Sequence, residues 1–307
     1  MKTSSQVKYY EVSEQESGQK LFSYLQRKLG RDIPRSAIMK FIRTGQVRVN
    51  KGRCKPFQRV CAADEIRVPP HSSSAKTDTS DAGPIDIIYE SHEYLVLDKP
   101  PGLPVHPGTY HNDSLVTRVH AAYSHAVFAP TPAHRLDKNT TGIILFAKSY
   151  KWLRYIQSIW NQPGFCKEYL AWVQGKWDAN IAEIKAGILK DHLGARVDSR
   201  GKEARSSITV VAGFEDMSLL RVRIYTGRTH QIRLHLAQKG HPIIGDTEHT
   251  DKECKTMYLH SFRLNWGKKS FTHLPDWEGR FNPELYLSIS KSELVTSVCE
   301  YDQSHSS

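Results

Sequence analysis

The chain has 307 residues, 39% hydrophobic and 24% charged, with 43 Lys and Arg against 32 Asp and Glu. That supplies apolar material for about two packed cores and excludes a wholly disordered or collagen-like chain. No apolar run approaches the roughly 20 residues that span a bilayer, and the opening MKTSSQVKYYEV lacks a signal peptide's apolar stretch, so a soluble cytoplasmic protein is expected. Cys54, Cys61, Cys166, Cys254 and Cys299 are scattered without a CxxC pair, which points to reduced packing thiols and to neither a disulfide framework nor a zinc site.

The basic excess is concentrated at the start. Residues 1–70 hold 15 Lys and Arg against 6 Asp and Glu, and the rest of the chain 28 against 26. A small basic unit beside a balanced large one suggests that the small unit docks a polyanion. Leu21, Leu25 and Leu29 recur at helical spacing. A second helix follows through Ile38, Phe41 and Ile42, with Pro34 ending the first and Ser36 as the expected N-cap of the second. Residues 46–52 alternate into an Asn-Lys-Gly turn and Asp64–Val68 form a second short strand, so two helices and a hairpin are predicted. Arg35, Lys40, Arg43, Arg48, Lys51, Arg53 and Lys55 crowd the second helix and the hairpin, and no Asp or Glu lies between Arg35 and Arg59. Such a face suits the phosphates of RNA or DNA, whereas on an average helix the same charges would merely solvate a surface.

The segment resembles the alpha-L RNA-binding fold of the ribosomal-protein-S4 type, through Arg35-Ser36-Ala37-Ile38, Ile42 to Asn50 and Asp64 to Val68. It departs where Lys20-Leu21-Phe22 stands in place of the usual Arg-Leu-Asp. Residues 71–84, beginning HSSSAKTDTSDAG, have almost nothing to bury and read as a flexible linker between domains 1–70 and 85–307.

The larger domain opens on strand patterns at 85–89 and 94–98, and others recur at 142–147, 169–173 and 219–225. Helical stretches lie at 151–160 and 229–239, the latter ended by Gly240. The layout is α+β, without a regular βαβ repeat or a GxGxxG or GxxxxGK[ST] motif for a nucleotide cofactor. In Pro132 to Gly142 a lone carboxylate, Asp137, sits among His134, Arg135 and Lys138 just before a buried strand. A calcium loop fails there because its twelfth position would be Lys148, and no second carboxylate, GxSxG or HExxH offers glycosidase, serine-hydrolase or zinc chemistry. On periodicity alone a plain Asp turn remains open. In Tyr225 to Leu236, Arg228 falls where a helix begins, a position that calls for a compensating anion such as a ligand phosphate or a buried Asp.

Together these stretches resemble the RluA-type pseudouridine synthases. The match runs through Leu97 to Gly102 with Val105-His106-Pro107, His134 to Lys148, Lys167-Glu168-Tyr169, Gly227 to Arg233 and His241 to Asp246. Thr141 stands where Ser is usual, and Ala204-Arg205-Ser206 where Ala-x-Thr is. The resemblance implies a catalytic domain on a mixed, largely antiparallel sheet and a cofactor-free and metal-free isomerisation of uridine in RNA. It makes Asp137 the essential group, attacking C1′ or removing the C2′ proton, and makes Arg228 its pairing cation. Tyr169 becomes the pocket ring that serves, or relays to, the base at C5. His134, Lys99 and Leu259 are expected to contact substrate, with His260 beside Leu259 on the pocket wall, and Arg135 to fill the stack vacated by a flipped base. The implied partner is 23S rRNA or a pre-ribosomal particle, met by a monomer, with tRNA or a catalytically idle ribosome-assembly factor as alternatives.

Overall fold

In the computed structural model the described residues are 2–4, 6–30, 33–73, 83–108, 113–192, 194–249, 254 and 256–287. The N-terminal unit runs β1 (Lys2–Ser4), β2 (Lys8–Glu11), α1 (Leu21–Leu29), α2 (Arg35–Arg43), β3 (Arg48–Val49), β4 (Glu65–Val68) and β5 (His71–Ser73). Its sheet has the order β2-β4-β3. Leu21, Tyr24, Leu25, Ile38, Ile42, Val47, Val60, Ile66 and Val68 form a core of their own beneath the two helices. Asn50 and Lys51 both take positive φ, 49° and 65°, which closes the expected tight turn between Val49 and Gly52.

Three details differ from the sequence reading. Pro34, not Ser36, is the N-cap of α2, since its fixed φ suits the boundary and Ser36 falls in the first turn. The strand β2, whose Lys-Tyr-Tyr-Glu has no apolar alternation, completes the sheet along the second edge of β4. The expected linker loses its start to β5, which pairs antiparallel with β1, and residues 74–82 of it lie outside the described residues.

The larger unit runs β6 (Asp86–Glu90), β7 (Tyr94–Lys99), α3 (Leu115–Ala122), β8 (Thr131–Pro132), β9 (Thr141–Ala147), α4 (Tyr150–Ile159), β10 (Phe165–Gln174), β11 (Glu183–Asp191), β12 (Gly194–Val197), β13 (Lys202–Gly213), β14 (Met217–Ile224), α5 (Gln231–Gln238), β15 (Leu259–Trp266) and β16 (Lys269–Thr272). One mixed sheet has the order β12-β11-β13-β14-β10-β15-β9-β7-β6, with β16 on β15 and β8 on β9. Its pairs are antiparallel except β9 with β15. The α+β expectation and its largely antiparallel sheet therefore hold.

Both faces of the central strands are covered. Leu95, Leu97, Ile144 and Phe146 pack with α3 and α5, and Tyr94, Val96, Ile143 and Leu145 pack under Trp152, Leu153 and Ile156 of α4. A strand buried on both sides shows no alternation, hence the continuous apolar runs at 94–97 and 143–147. A row of paired residues crosses the end of the sheet: Lys99 opposite Gly142, Gly142 opposite Ser261, Ser261 opposite Tyr169 and Tyr169 opposite Val222. Gly142, at φ +99°, is required there because an added Cβ would lie 2.4 Å from the Ser261 carbonyl oxygen.

Cys54, Cys61, Cys166 and Cys254 are free thiols, and Cys299 lies outside the described residues. Among the described residues no helix is long and apolar enough to cross a membrane. Two fully buried imidazoles link folding to acidity: burial pushes His235 down to about 4, and burial together with nearby His273 pushes His260 down to about 3. Their folded values lie below the unfolded one near 6.5, so the stability they contribute is complete above that pH and is lost as pH falls toward the folded values. Urea unfolding should thus weaken below about pH 6.5 by up to about 1.4 kcal/mol per pH unit per histidine. His260→Gln should remove one histidine's share of that slope, and an unchanged slope would contradict the assignment.

Candidate active site

Asp137 sits on the connection from β8 to β9, between the buried side chains of Leu136 and Thr140. The Thr140 N–H donates to the Asp137 carbonyl at 3.2 Å, closing a turn that lifts the carboxylate off the sheet end. Lys99 pins this turn from below. Its ammonium is fully buried and donates to the carbonyls of Lys138 (2.8 Å), Leu103 (2.9 Å) and Pro100 (2.7 Å). Burial lowers Lys99 to about 7, opposed by the attraction of Asp98 and Asp137.

The carboxylate, 21% exposed, faces two groups from the start of α5. Arg233 Nη1 stands 3.9 Å from Asp137 Oδ2, and His230 Nε2 3.8 Å from Oδ1. His230, the N-cap of α5, takes the left-handed conformation at φ 53° and also approaches Glu248 through Nδ1 at 3.4 Å. The other side of the Arg233 fork is fully engaged. Nε and Nη2 donate to the two oxygens of buried Asp246 at 2.7 and 2.6 Å, and Nη2 reaches Glu248 at 3.0 Å. Burial alone would lower the guanidinium, but the bonds and attraction of Asp246 and Glu248 raise it overall. Asp246 is held below the ordinary carboxylate range by the same pairing, which outweighs its burial. Two parallel charge-assisted bonds fix a planar fork, so Nη1 is aimed rather than free to swing.

A cavity of about 260 Å³ opens beside Asp137, room for a single planar ring and not for a run of stacked bases. Tyr169, Ile224, Ile232 and Leu259 give it apolar walls, and Trp160, Arg135 and Arg228 also line it. Tyr169 is buried, and burial followed by the Asp137 charge raises its phenol, so the hydroxyl stays protonated at neutral pH. It fits a hydrogen-bond relay better than a phenolate base.

The structure thus brings Asp137, Tyr169, Leu259, His134, Arg135 and Arg228 to one cavity, and corrects several roles. Arg228 does not pair with Asp137: its Nε donates to the neutral backbone carbonyl of Glu203 at 3.0 Å, which orients the side chain without neutralising it. The helix itself starts later, at Gln231, whose side chain ties the Arg228 N–H and the Thr226 hydroxyl to its own carbonyl oxygen at 3.0 and 2.7 Å. Lys99 is absent from the cavity wall and acts beneath the turn. His134 lines the cavity, but its Nε2 accepts the Leu145 N–H at 3.1 Å and its ring stacks on Trp160 at 4.3 Å. Burial, then Lys167, pushes it down to about 3, so it is a neutral wall. His260, beside Leu259, turns to the opposite side, bonding the Thr141 hydroxyl at 2.8 Å and the His273 carbonyl at 2.9 Å. Arg233, His230, Asp246 and Trp160 escaped the sequence reading. A signal for Arg233 existed: an arginine between Ile232 and Leu234 on a helix otherwise destined for the core needs a buried acid.

Among known proteins, residues 93–238 match the family model for RNA pseudouridylate synthase. The chain is 34% identical over 304 residues to ribosomal large subunit pseudouridine synthase C of Haemophilus influenzae, covering 92% of each chain. It is 34% identical over 267 residues to the protein of that name from Escherichia coli K12, covering 82% of this chain and 83% of the other. The solved structure of human RNA pseudouridylate synthase domain containing 1 has the same fold, with a TM-score of 0.53 and 21% identity over 69% of this chain and 93% of that one.

The two arginines are separable by stability. Arg233→Lys keeps a charge but forfeits the fork on Asp246, and should cost about 2–3 kcal/mol in urea unfolding. Arg228→Ala should stay within about 0.5 kcal/mol. A larger loss for Arg228→Ala than for Arg233→Lys would contradict the pairing.

Proposed function

The chain belongs to the RNA pseudouridylate synthase family, and from that premise we propose large-subunit ribosomal RNA as the substrate in which it isomerises uridine. In this reaction the N1–C1′ bond breaks, C1′ rejoins the ring through C5, N1 gains a proton and C5 loses one, so no atom enters or leaves overall. A single carboxylate at the ribose suffices.

Asp137 acts on the ribose, at C1′ or C2′, and both routes need it ionised. Arg233 Nη1 at 3.9 Å is the cation beside it, and neither Arg233 nor His230 Nε2, at 3.8 Å, claims a carboxylate oxygen by a direct hydrogen bond. Placing a carboxylate and a protonated phenol on one ring-sized cavity is the observation that carries this assignment. Tyr169 packs on the base and relays the C5 proton. A stacked uridine cannot enter such a cavity, so it flips out at a cost of a few kcal/mol that backbone contacts offset. Arg135, exposed on the cavity lining, occupies the gap left in the stack, and Arg228, its Nε on the Glu203 carbonyl, holds a flanking phosphate.

The N-terminal module supplies general RNA affinity. Arg35, Lys40, Arg43, Lys51, Arg53 and Lys55 are exposed, and Arg48 and Arg53 converge on Gly45, each 3.6 Å from where its Cβ would stand. The names of the relatives, together with their coverage of nearly the whole chain, support ribosomal RNA over tRNA. A monomer in the cytoplasm, acting on 23S rRNA or a pre-ribosomal particle, is the corresponding setting. Protein-free fragments of 23S-type rRNA should be modified and isolated tRNA little at equal concentration. Faster modification of tRNA transcripts would replace ribosomal RNA as the substrate.

A further inference from the structure

The N-terminal module carries a cavity of about 430 Å³ that shares no lining residue with the one at Asp137. Lys20, Phe22, Arg35, Ser36, Met39 and Phe57 line it. Phe57 is 62% exposed, which leaves a large aromatic ring unburied. The exposure is not the looseness of a mobile loop. Leu21 and Phe22 N–H groups donate to the carbonyls of Gln58 and Pro56 at 2.8 and 2.9 Å, and the Val60 N–H donates to the Gln19 carbonyl at 2.9 Å. Arg59 Nη1 adds a bond to the Gly18 carbonyl at 2.6 Å. The backbone on both sides of Phe57 is therefore held by hydrogen bonds.

Cations surround it. Lys20 Nζ lies 5.4 Å from the Phe57 ring centre, and Arg35 Cζ 5.4 Å from that of Phe22, which floors the cavity. Among the described residues no carboxylate lines the space. The Lys20-Leu21-Phe22 departure noted in the sequence falls here: an Asp at position 22 would put a negative charge into the cavity, whereas Phe22 adds an apolar surface. A fixed aromatic face flanked by two cations fits a nucleobase with its phosphates, because every base offers a π-face and each flanking phosphate a charge.

We propose that this cavity is a subsite for one unpaired nucleotide of the RNA, its base stacked on the face of Phe57 turned away from Lys20 and its phosphates on Lys20 and Arg35. The subsite rests on the reading that the N-terminal module docks RNA. Paired bases cannot reach the ring without unstacking, so the site selects a bulge or loop near the docked helix.

The test uses the full chain and two RNA hairpins, one with a single 2-aminopurine bulge and one fully paired, titrated at one salt concentration. Phe57→Ala should weaken binding of the bulged hairpin about tenfold and abolish the change in 2-aminopurine fluorescence, with the paired hairpin little affected. Phe57→Trp should restore both. Equal binding of the bulged hairpin by wild type and Phe57→Ala, with Arg43→Ala weakening both hairpins, would overturn the subsite and leave RNA docking intact. If neither Phe57→Ala nor Arg43→Ala altered either hairpin, both readings would fall.

Discussion

The buried pair between Arg233 and Asp246 is the constraint on which the rest of the site depends. Both side chains are almost fully buried, a burden that is offset only when geometry and hydrogen bonding are nearly complete. Here two bonds of 2.6–2.7 Å meet that condition, and His249 adds a contact to Asp246 at 3.0 Å. The pair locks α5 to the segment after it, so the third nitrogen of the fork is delivered to Asp137 without a bond of its own. Gly245 makes the approach possible: at φ +81°, a Cβ there would overlap the Thr256 carbonyl. Structure and electrostatics are thus divided between two carboxylates, with Asp246 holding the cation and Asp137 left available for chemistry.

The sheet end sets the other coordinates. Parallel pairing of β9 with β15 brings Thr141 and Gly142 beside His260 and Ser261, and the register shift of β10 against β15 at Glu168 and Tyr169 places Tyr169 opposite Ser261. The turn bearing Asp137 and the ring of Tyr169 therefore belong to one rigid edge, tied from below by Lys99. A strand carries Tyr169 and a turn hydrogen-bonded to Lys99 carries Asp137, an arrangement that suits a reaction whose two ends, ribose and C5, must be served in one cavity.

Much of this was legible in the sequence. Asp137 drew notice as a lone carboxylate among cations before an apolar strand, a pattern a plain Asp turn also fits, and the motif resemblance is what singled it out. The central strands were legible from continuous apolar runs, and α1 and α2 from leucine and isoleucine spacing. Strands β11, β12 and β13 were not, since Glu183–Asp191 and Lys202–Gly213 mix lysine, glutamate, serine and glycine on a partly solvated flank where burial leaves little pattern. The choice between Arg228 and Arg233 lay beyond spacing as well. Both sit in one motif, and what separates them is Asp246, thirteen residues past Arg233, which reaches it only after the chain turns at Gly245.

The chain divides into a basic module with its own core and a balanced domain around one sheet, and the account stands or falls on the chemistry of the second. The most direct measurement is tritium release from RNA labelled with [5-³H]uridine by an Asp137→Asn variant shown to be folded. The amide keeps the size of the side chain and removes the charge, and among the described residues no second carboxylate lines the cavity to replace it. Release should fall below detection while RNA binding persists. Release at a measurable fraction of the wild-type rate would contradict the assignment of Asp137.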